Sequence, residues 1–237
     1  MIHIQSLIDE SIEINNQVKG GLRDGQKFHI SDAGTCYRKR YLKRLGVPPT
    51  KKIEIQGLRK MVAGDAGHEK LQTLLTRYHK LFATEGEIET EQVKGHFDGI
   101  VKHDGKKAVI EFKTIEKWGM GHIKKNGAKP EHKIQLWTYW YHLRQDYTEL
   151  DQAVLSYVKR EDFEAHDLYY VWDDNVILPA VEAEWSPLLD YWEKQQLPPC
   201  TCDQDYGGYG QKYCLYPDGD GTCCNESLIA VTTDKRS

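Results

Sequence analysis

The chain reads Gly95-His96-Phe97-Asp98-Gly99-Ile100-Val101 and, beyond a break at Asp104-Gly105, Ala108-Val109-Ile110-Glu111-Phe112-Lys113. Two β-rich runs flanking an Asp-Gly pair are the signature of a hairpin closed by a two-residue turn. A turn centred on that pair sets Asp98 opposite Glu111, His96 opposite Lys113 and Phe97 opposite Phe112. Side chains alternate along a strand, so Phe97, Val101, Ala108, Ile110 and Phe112 then share a buried face, while Asp98, Glu111 and Lys113 project from the other. Directly opposed carboxylates lie about 5 Å apart and repel, which demands a compensating cation. Oxygen ligands without thiolate suit magnesium or manganese, and Lys113 is placed to hold an attacking water or a phosphate oxygen. A loop of different length would slip the register by one residue and part the two acids.

Outward from the hairpin, Ile55 to His79 carries Leu58, Met61, Val62, Leu71, Leu74, Leu75 and Tyr78 at helical spacing, with His68 on the inward side. Glu87 to Glu91 reads as a first strand. The stretch from Lys117 to Pro130, rich in Lys and Gly, reads as a loop, and Glu131 to Leu143 as a second helix. Gln135, Tyr139 and His142 form one stripe of that helix, beside Ile134, Trp137, Thr138 and Tyr141. Ala153–Lys159 and Leu168–Trp172 are β-rich, and Val176–Gln195 is a final amphipathic helix. Towards the N-terminus, Leu7, Ile8, Ile12 and Ile14 hint at a short helix. Cys36-Tyr37-Arg38-Lys39-Arg40-Tyr41-Leu42-Lys43-Arg44-Leu45 is a basic helix that stops at Gly46 and Pro48. The expected class is α/β of the mixed, α+β kind: a central mixed sheet flanked by helices, with N- and C-terminal additions. The divisions are 1–50, a helical segment with Cys36; 51–197, the core; and 198–237, a cysteine-rich tail.

A chain of 237 residues is long enough for an ordinary core without staples. Its net charge of −4 and mean hydropathy of −0.66 exclude a global polycation, so nucleic-acid contacts would come from local patches. No run is apolar enough to span a membrane, and the N-terminus lacks a signal-peptide core, which points to the cytoplasm. Repeats and low-complexity tracts are absent.

Four motifs in order carry a family resemblance: His68 within Gly64-Asp65-Ala66-Gly67-His68; Asp98 within Gly95-His96-Phe97-Asp98; Glu111-Phe112-Lys113; and Gln135-Leu136-Trp137-Thr138-Tyr139. Together they resemble the PD-(D/E)XK nuclease superfamily, and within it the RecB-like and CRISPR-associated exonuclease branch, over His68 to Tyr139. The resemblance implies a restriction-endonuclease-like core that hydrolyses phosphodiester bonds. It implies that His68, Asp98, Glu111 and the backbone carbonyl of Phe112 bind magnesium or manganese. Lys113 would orient water, while Gln135 and Tyr139 would organise the substrate strand. These roles suit the chemistry, which needs an activated water, a cation on the scissile oxygens and help for the leaving alkoxide.

The six cysteines are Cys36, Cys200, Cys202, Cys214, Cys223 and Cys224. Their spacing leaves structural zinc, disulfides and an iron-sulfur cluster open, although disulfides fit the cytosol poorly. The resemblance implies a [4Fe-4S] cluster with one cysteine before the core and three after it, here Cys36 with Cys202, Cys214 and Cys223 or Cys224, and zinc as the alternative. The tail spacing departs from the family's tight pattern. Such a site would join the terminal additions.

Phosphate contacts are expected from Arg38, Lys39, Arg40, Lys43 and Arg44 on the basic helix and from Lys117, Lys124, Lys125 and Lys129 beyond the hairpin, with Tyr37, Tyr41 and Trp118 as stacking surfaces. The expected partner is DNA, single-stranded or at duplex ends, cut by an exonuclease in recombination, repair or phage DNA processing. A catalytically silent nucleic-acid-binding module and a structure- or sequence-specific endonuclease are the alternatives. No membrane partner is expected, and a homo-oligomer or a recombination or repair partner stays open.

Overall fold

The computed structural model describes residues 4–21, 27–77, 81–103, 106–202 and 214–217. The Asp104-Gly105 turn, the helix end at Tyr78 and His79, and Cys223 and Cys224 lie outside these residues. The helices are α1 (Ile4–Gly21), α2 (Tyr37–Arg44), α3 (Ile55–Arg77), α4 (Lys117–Asn126), α5 (Pro130–Asp146) and α6 (Asp174–Glu193). The strands are β1 (Phe28–His29), β2 (Leu81–Glu89), β3 (Val93–His103), β4 (Lys106–Ile115), β5 (Gln152–Lys159) and β6 (Ala165–Val171).

All six described strands form one mixed sheet in the order β1-β3-β4-β5-β6, with β2 on the other edge of β3. The hairpin keeps the expected register where it is paired, Gly99 with Ile110, Ile100 with Val109 and Val101 with Ala108, but the ladder stops there, and the expected pairs Asp98–Glu111, Phe97–Phe112 and His96–Lys113 do not form. β4 and β5 run parallel, with Lys113 beside Tyr157, and α4 and α5 supply the crossover that a parallel pair requires. β1 runs parallel to β3 at Val93 and Lys94. Lys94 also pairs with Glu89 of β2, so β1 and β4 share the opposite edge of β3. The sheet therefore forks between them, and Asp98 stands at the fork.

The hairpin does not have one apolar and one polar face. Helices cover both sides, and both are apolar away from the fork. Val101, Ala108, Ile110 and Phe112 pack with Val154, Val158, Leu71 and Leu75 beneath α3. Ile100 and Val109 face the larger cluster built around α5, and Phe97 belongs to that cluster rather than to the α3 side. The Phe97 ring fills the space over Gly86 of β2, where a Cβ would lie 2.2 Å from it.

Helix α5 is the central element. Gln135 to Trp140 are all buried, because the sheet takes one side while α6 covers another and donates its Trp185 indole N–H to Thr138 Oγ1 of α5 at 3.0 Å. The Lys117–Pro130 stretch expected as a loop contains α4, which buries Met120 and Ile123 one turn apart. On α3 only Leu58 is fully buried, while Met61 and Val62, expected inward, are 48% and 38% exposed. Phe28, Ile30, Ala33 and Tyr41 join the main core.

Candidate active site and cysteine cluster

The fork in the sheet builds the site. The β3–β4 ladder runs to Gly99–Ile110, and beyond it the Asp98 side chain takes over, its Oδ2 accepting the Phe112 backbone N–H at 2.7 Å. That N–H points along the sheet plane, so the Asp98 carboxylate lies between the parting strands, within reach of both helix layers. From the α3 side, His68 Nδ1 lies 3.6 Å from Asp98 Oδ1, and its ring meets Phe112 edge to face. α3 passes close to β4 because Gly67 has no side chain: a Cβ there would lie 3.0 Å from Thr114 Cγ2.

From the α5 side, Gln135 ties the other groups together. Its Nε2 donates to Glu111 Oε1 at 2.8 Å, and its Oε1 accepts from Lys113 Nζ at 2.8 Å. Lys113 Nζ also donates to Glu111 Oε1 at 2.8 Å. Tyr139, one turn along, lies 3.5 Å from Gln135 Nε2 and packs against Gly95, where a Cβ would sit 2.9 Å from the Tyr139 ring. The glycine that opens the Gly-x-x-Asp motif thus makes room for the tyrosine that closes the Gln-x-x-x-Tyr motif.

Side-chain exposure rises outward, from 4% at Glu111 through 14% at Asp98 and 18% at Lys113 to 27% at His68. Burial and the Asp98 charge push the Glu111 carboxyl up to about 7, against the opposing pull of Lys113. Burial works against protonation of His68, but the Asp98 carboxylate outweighs it and raises the imidazole's pKa. Burial and the Glu111 charge raise the Tyr139 phenol well above its ordinary range, so it remains protonated. Glu111 Oε2 is buried with no hydrogen-bond partner, an arrangement that is costly unless something else binds it. That oxygen, the Asp98 carboxylate and the His68 imidazole are the donor types a divalent cation takes, a hard oxygen set with one nitrogen, but among the described residues the only three such donors gathered within 4.8 Å of one another are those of the cysteine cluster. An open groove lined by Met61, Gly64, Asp65, His68, Glu69 and Gln72 leads to the Glu111 site.

The basic residues expected to meet phosphate divide in two. On α2, Arg40 is 2% exposed, ion-paired to Glu184 and stacked on Trp185, so it has no surface to offer a strand. Lys43 is bonded to Asp32, Arg38 Nε donates to the Pro198 carbonyl at 2.7 Å, and Arg44 lies over Trp192. These cations hold α2 against the core and α6; burying them next to aromatic rings and paired acids is their compensation. On α4, Lys117, Lys124 and Lys125 are exposed, with Lys124 paired to Glu164.

The cysteines converge as a cluster. The sulfurs of Cys36, Cys200 and Cys202 all lie within 4.8 Å of one another. Cys214 is buried in the same small core, beside Leu42, Val47 and Tyr216. Cys200, which the sequence reading left out of the ligand set, joins the cluster, while Cys223 and Cys224 lie outside the described residues. The signal for Cys200 was the Cys200-x-Cys202 spacing, since residues two apart in extended chain point to the same side. Three thiolates at this separation can hold a metal.

No protein-family profile matches the chain, and no curated protein does. Among solved structures it is similar to SSO0001, with 19% identity and a TM-score of 0.53 over 90% of this chain and 94% of that one. It is also similar to a phage-related exonuclease from Haemophilus somnus 129PT, at 13% identity and TM-score 0.39 over 75% of this chain and 97% of the other. A candidate exonuclease from Eubacterium rectale matches at 15% identity and TM-score 0.43, over 76% and 85% respectively. At 19% identity the likeness to SSO0001 is one of fold alone. Among the described residues, no helix is long and apolar enough to cross a membrane.

Proposed function

We propose that the chain is a divalent-metal-dependent DNA nuclease of the PD-(D/E)XK type, acting as an exonuclease on single strands or duplex ends in recombination, repair or phage DNA processing. What carries it is the buried Glu111 carboxylate, with one oxygen held by Lys113 and Gln135 and the other unpartnered, beside Asp98 and His68. Four ordered motifs from four elements, α3, β3, β4 and α5, meet at that point. His68, Asp98, Glu111 and the Phe112 carbonyl would hold magnesium or manganese.

A bound divalent ion would polarise the scissile phosphate and lower the pKa of the attacking water. Lys113, fixed by two hydrogen bonds, orients that water and offsets the charge that builds on the phosphate oxygens. Water oxygen bonds to phosphorus, the bond to the leaving sugar oxygen breaks, and a proton from the water balances the departing alkoxide through solvent. Gln135 keeps Lys113 and Glu111 in register, and Tyr139 presents a protonated hydroxyl beside it. Cys36, Cys200, Cys202 and Cys214 would hold a second, structural centre, a [4Fe-4S] cluster or zinc, in a cytoplasmic protein.

The test is degradation of end-labelled single-stranded and duplex DNA with magnesium or manganese, with iron and zinc content measured on protein purified without oxygen. Metal-dependent shortening of the strand supports the assignment. Binding without cleavage in either metal would leave a silent nucleic-acid-binding module instead.

A further inference from the structure

Trp118 is 76% exposed, an unusual position for a side chain that is mostly buried on average. It is not loose: its indole N–H donates to Glu116 Oε2 at 2.6 Å, and Glu116 is itself held by Lys60 at 3.3 Å and Arg160 at 3.8 Å. Lys60 and Arg160 thus bring two cations to the foot of the ring, beside the carboxylates of Glu116 and of Glu161, which accepts the Lys117 N–H at 3.2 Å. Lys60 belongs to α3, so the ring stands at the α3 N-terminal end of the groove that contains His68. Lys113 near the end of β4 and Glu116 just beyond it, in extended backbone, are separated by about 10 Å, well inside the several-nucleotide footprint of single-strand-binding surfaces.

A second observation concerns the helix beneath the ring. In Trp118-Gly119-Met120-Gly121, the residue one turn on from Trp118 is Gly121, where a Cβ would meet nothing within 4 Å. Packing therefore does not require a glycine, although glycine in a helix interior is unfavourable. Its effect is to leave bare backbone next to an exposed aromatic ring, and that surface lets another molecule approach closely.

We propose that Trp118 and Gly121 form a stacking subsite for an unpaired base of the DNA strand whose phosphate lies at Asp98 and Glu111. This rests on the nuclease reading and narrows it to strands with unstacked bases. Duplex DNA, whose bases are already stacked, gains nothing from the subsite unless its end frays.

The test uses the full chain without added divalent cation, so that strands stay intact, and reads fluorescence anisotropy of labelled oligothymidine and of an abasic oligomer of equal length. Trp118→Ala lowers affinity for oligothymidine about tenfold and leaves the abasic oligomer unaffected, whereas Trp118→Phe keeps most of the affinity. Gly121→Gln, which improves helix propensity and so guards against misfolding as the cause, also weakens oligothymidine binding while the melting temperature holds or rises. Unchanged oligothymidine affinity in Trp118→Ala overturns the subsite, and metal-dependent cleavage by that same variant would show that the nuclease reading survives. Failure of the wild-type chain both to bind any oligonucleotide and to cleave DNA with manganese overturns both.

Discussion

Glu111 is protonated more readily in the folded chain than in the unfolded one, since burial and Asp98 raise its carboxyl from 4.5 to about 7. Below pH 4.5 the group is neutral in both states and costs nothing. As pH rises towards 7 the unfolded chain ionises freely while the folded chain resists, so stability falls by up to about 1.4 kcal/mol per pH unit. Urea midpoints of metal-free protein should show this decline, Glu111→Gln should abolish it, and manganese should restore stability above pH 7 by binding the ionised carboxylate. Asp98→Asn retains an oxygen for the Phe112 N–H, and Lys113→Met retains the aliphatic stem. Each is expected to lower metal-dependent DNA degradation at least about a hundredfold with an unchanged far-UV circular dichroism spectrum. The acids and the lysine were legible because a hairpin register couples residues only a few positions from the turn. The orphaned Glu111 oxygen was not, since burial depends on α5, more than twenty residues along the chain.

Among the elements, α6 and α4 mark where local signals succeed and fail. Val181, Trp185 and Leu188 bury one face of α6 despite Pro179 and Pro187 inside it, because tertiary packing of an apolar stripe outweighs two lost backbone hydrogen bonds. Helix α4 was hidden by its glycines and lysines, and only Met120 and Ile123 anchor it. The link between the 3-10 turn Ile30–Asp32 and α2 depends on Gly34, at φ +73°, where a Cβ would lie 2.6 Å from the Glu131 backbone. The Gly34 N–H also donates to Glu184 Oε1 at 2.8 Å, the same oxygen that takes Arg40. Gly34→Ala therefore strains the backbone and pushes α5 away, at a cost of about 1–3 kcal/mol in denaturant unfolding. Gly46→Ala, also at positive φ but with open space around it, is expected to cost less.

For the whole molecule, the cysteine cluster brings a residue from the start of α2 together with residues beyond α6, so its occupant would clasp the two ends of the fold. Cys202→Ser should lower the melting temperature by about 5 °C or more and release the bound metal, read by thermal scanning beside metal analysis. Cys200→Ser tests the member that spacing alone did not single out. The sequence by itself determined the mixed α/β class, the hairpin register and the order of His68, Asp98, Glu111, Lys113, Gln135 and Tyr139, because alternation, helical period and turn chemistry act between near neighbours. Only the tertiary structure decided that α3 and α5 reach one fork from opposite faces, that Arg40 is buried against Trp185 while Trp118 is left in solvent, and that Cys200 joins Cys36. Those outcomes depend on which distant surfaces pack together, and no local period encodes that.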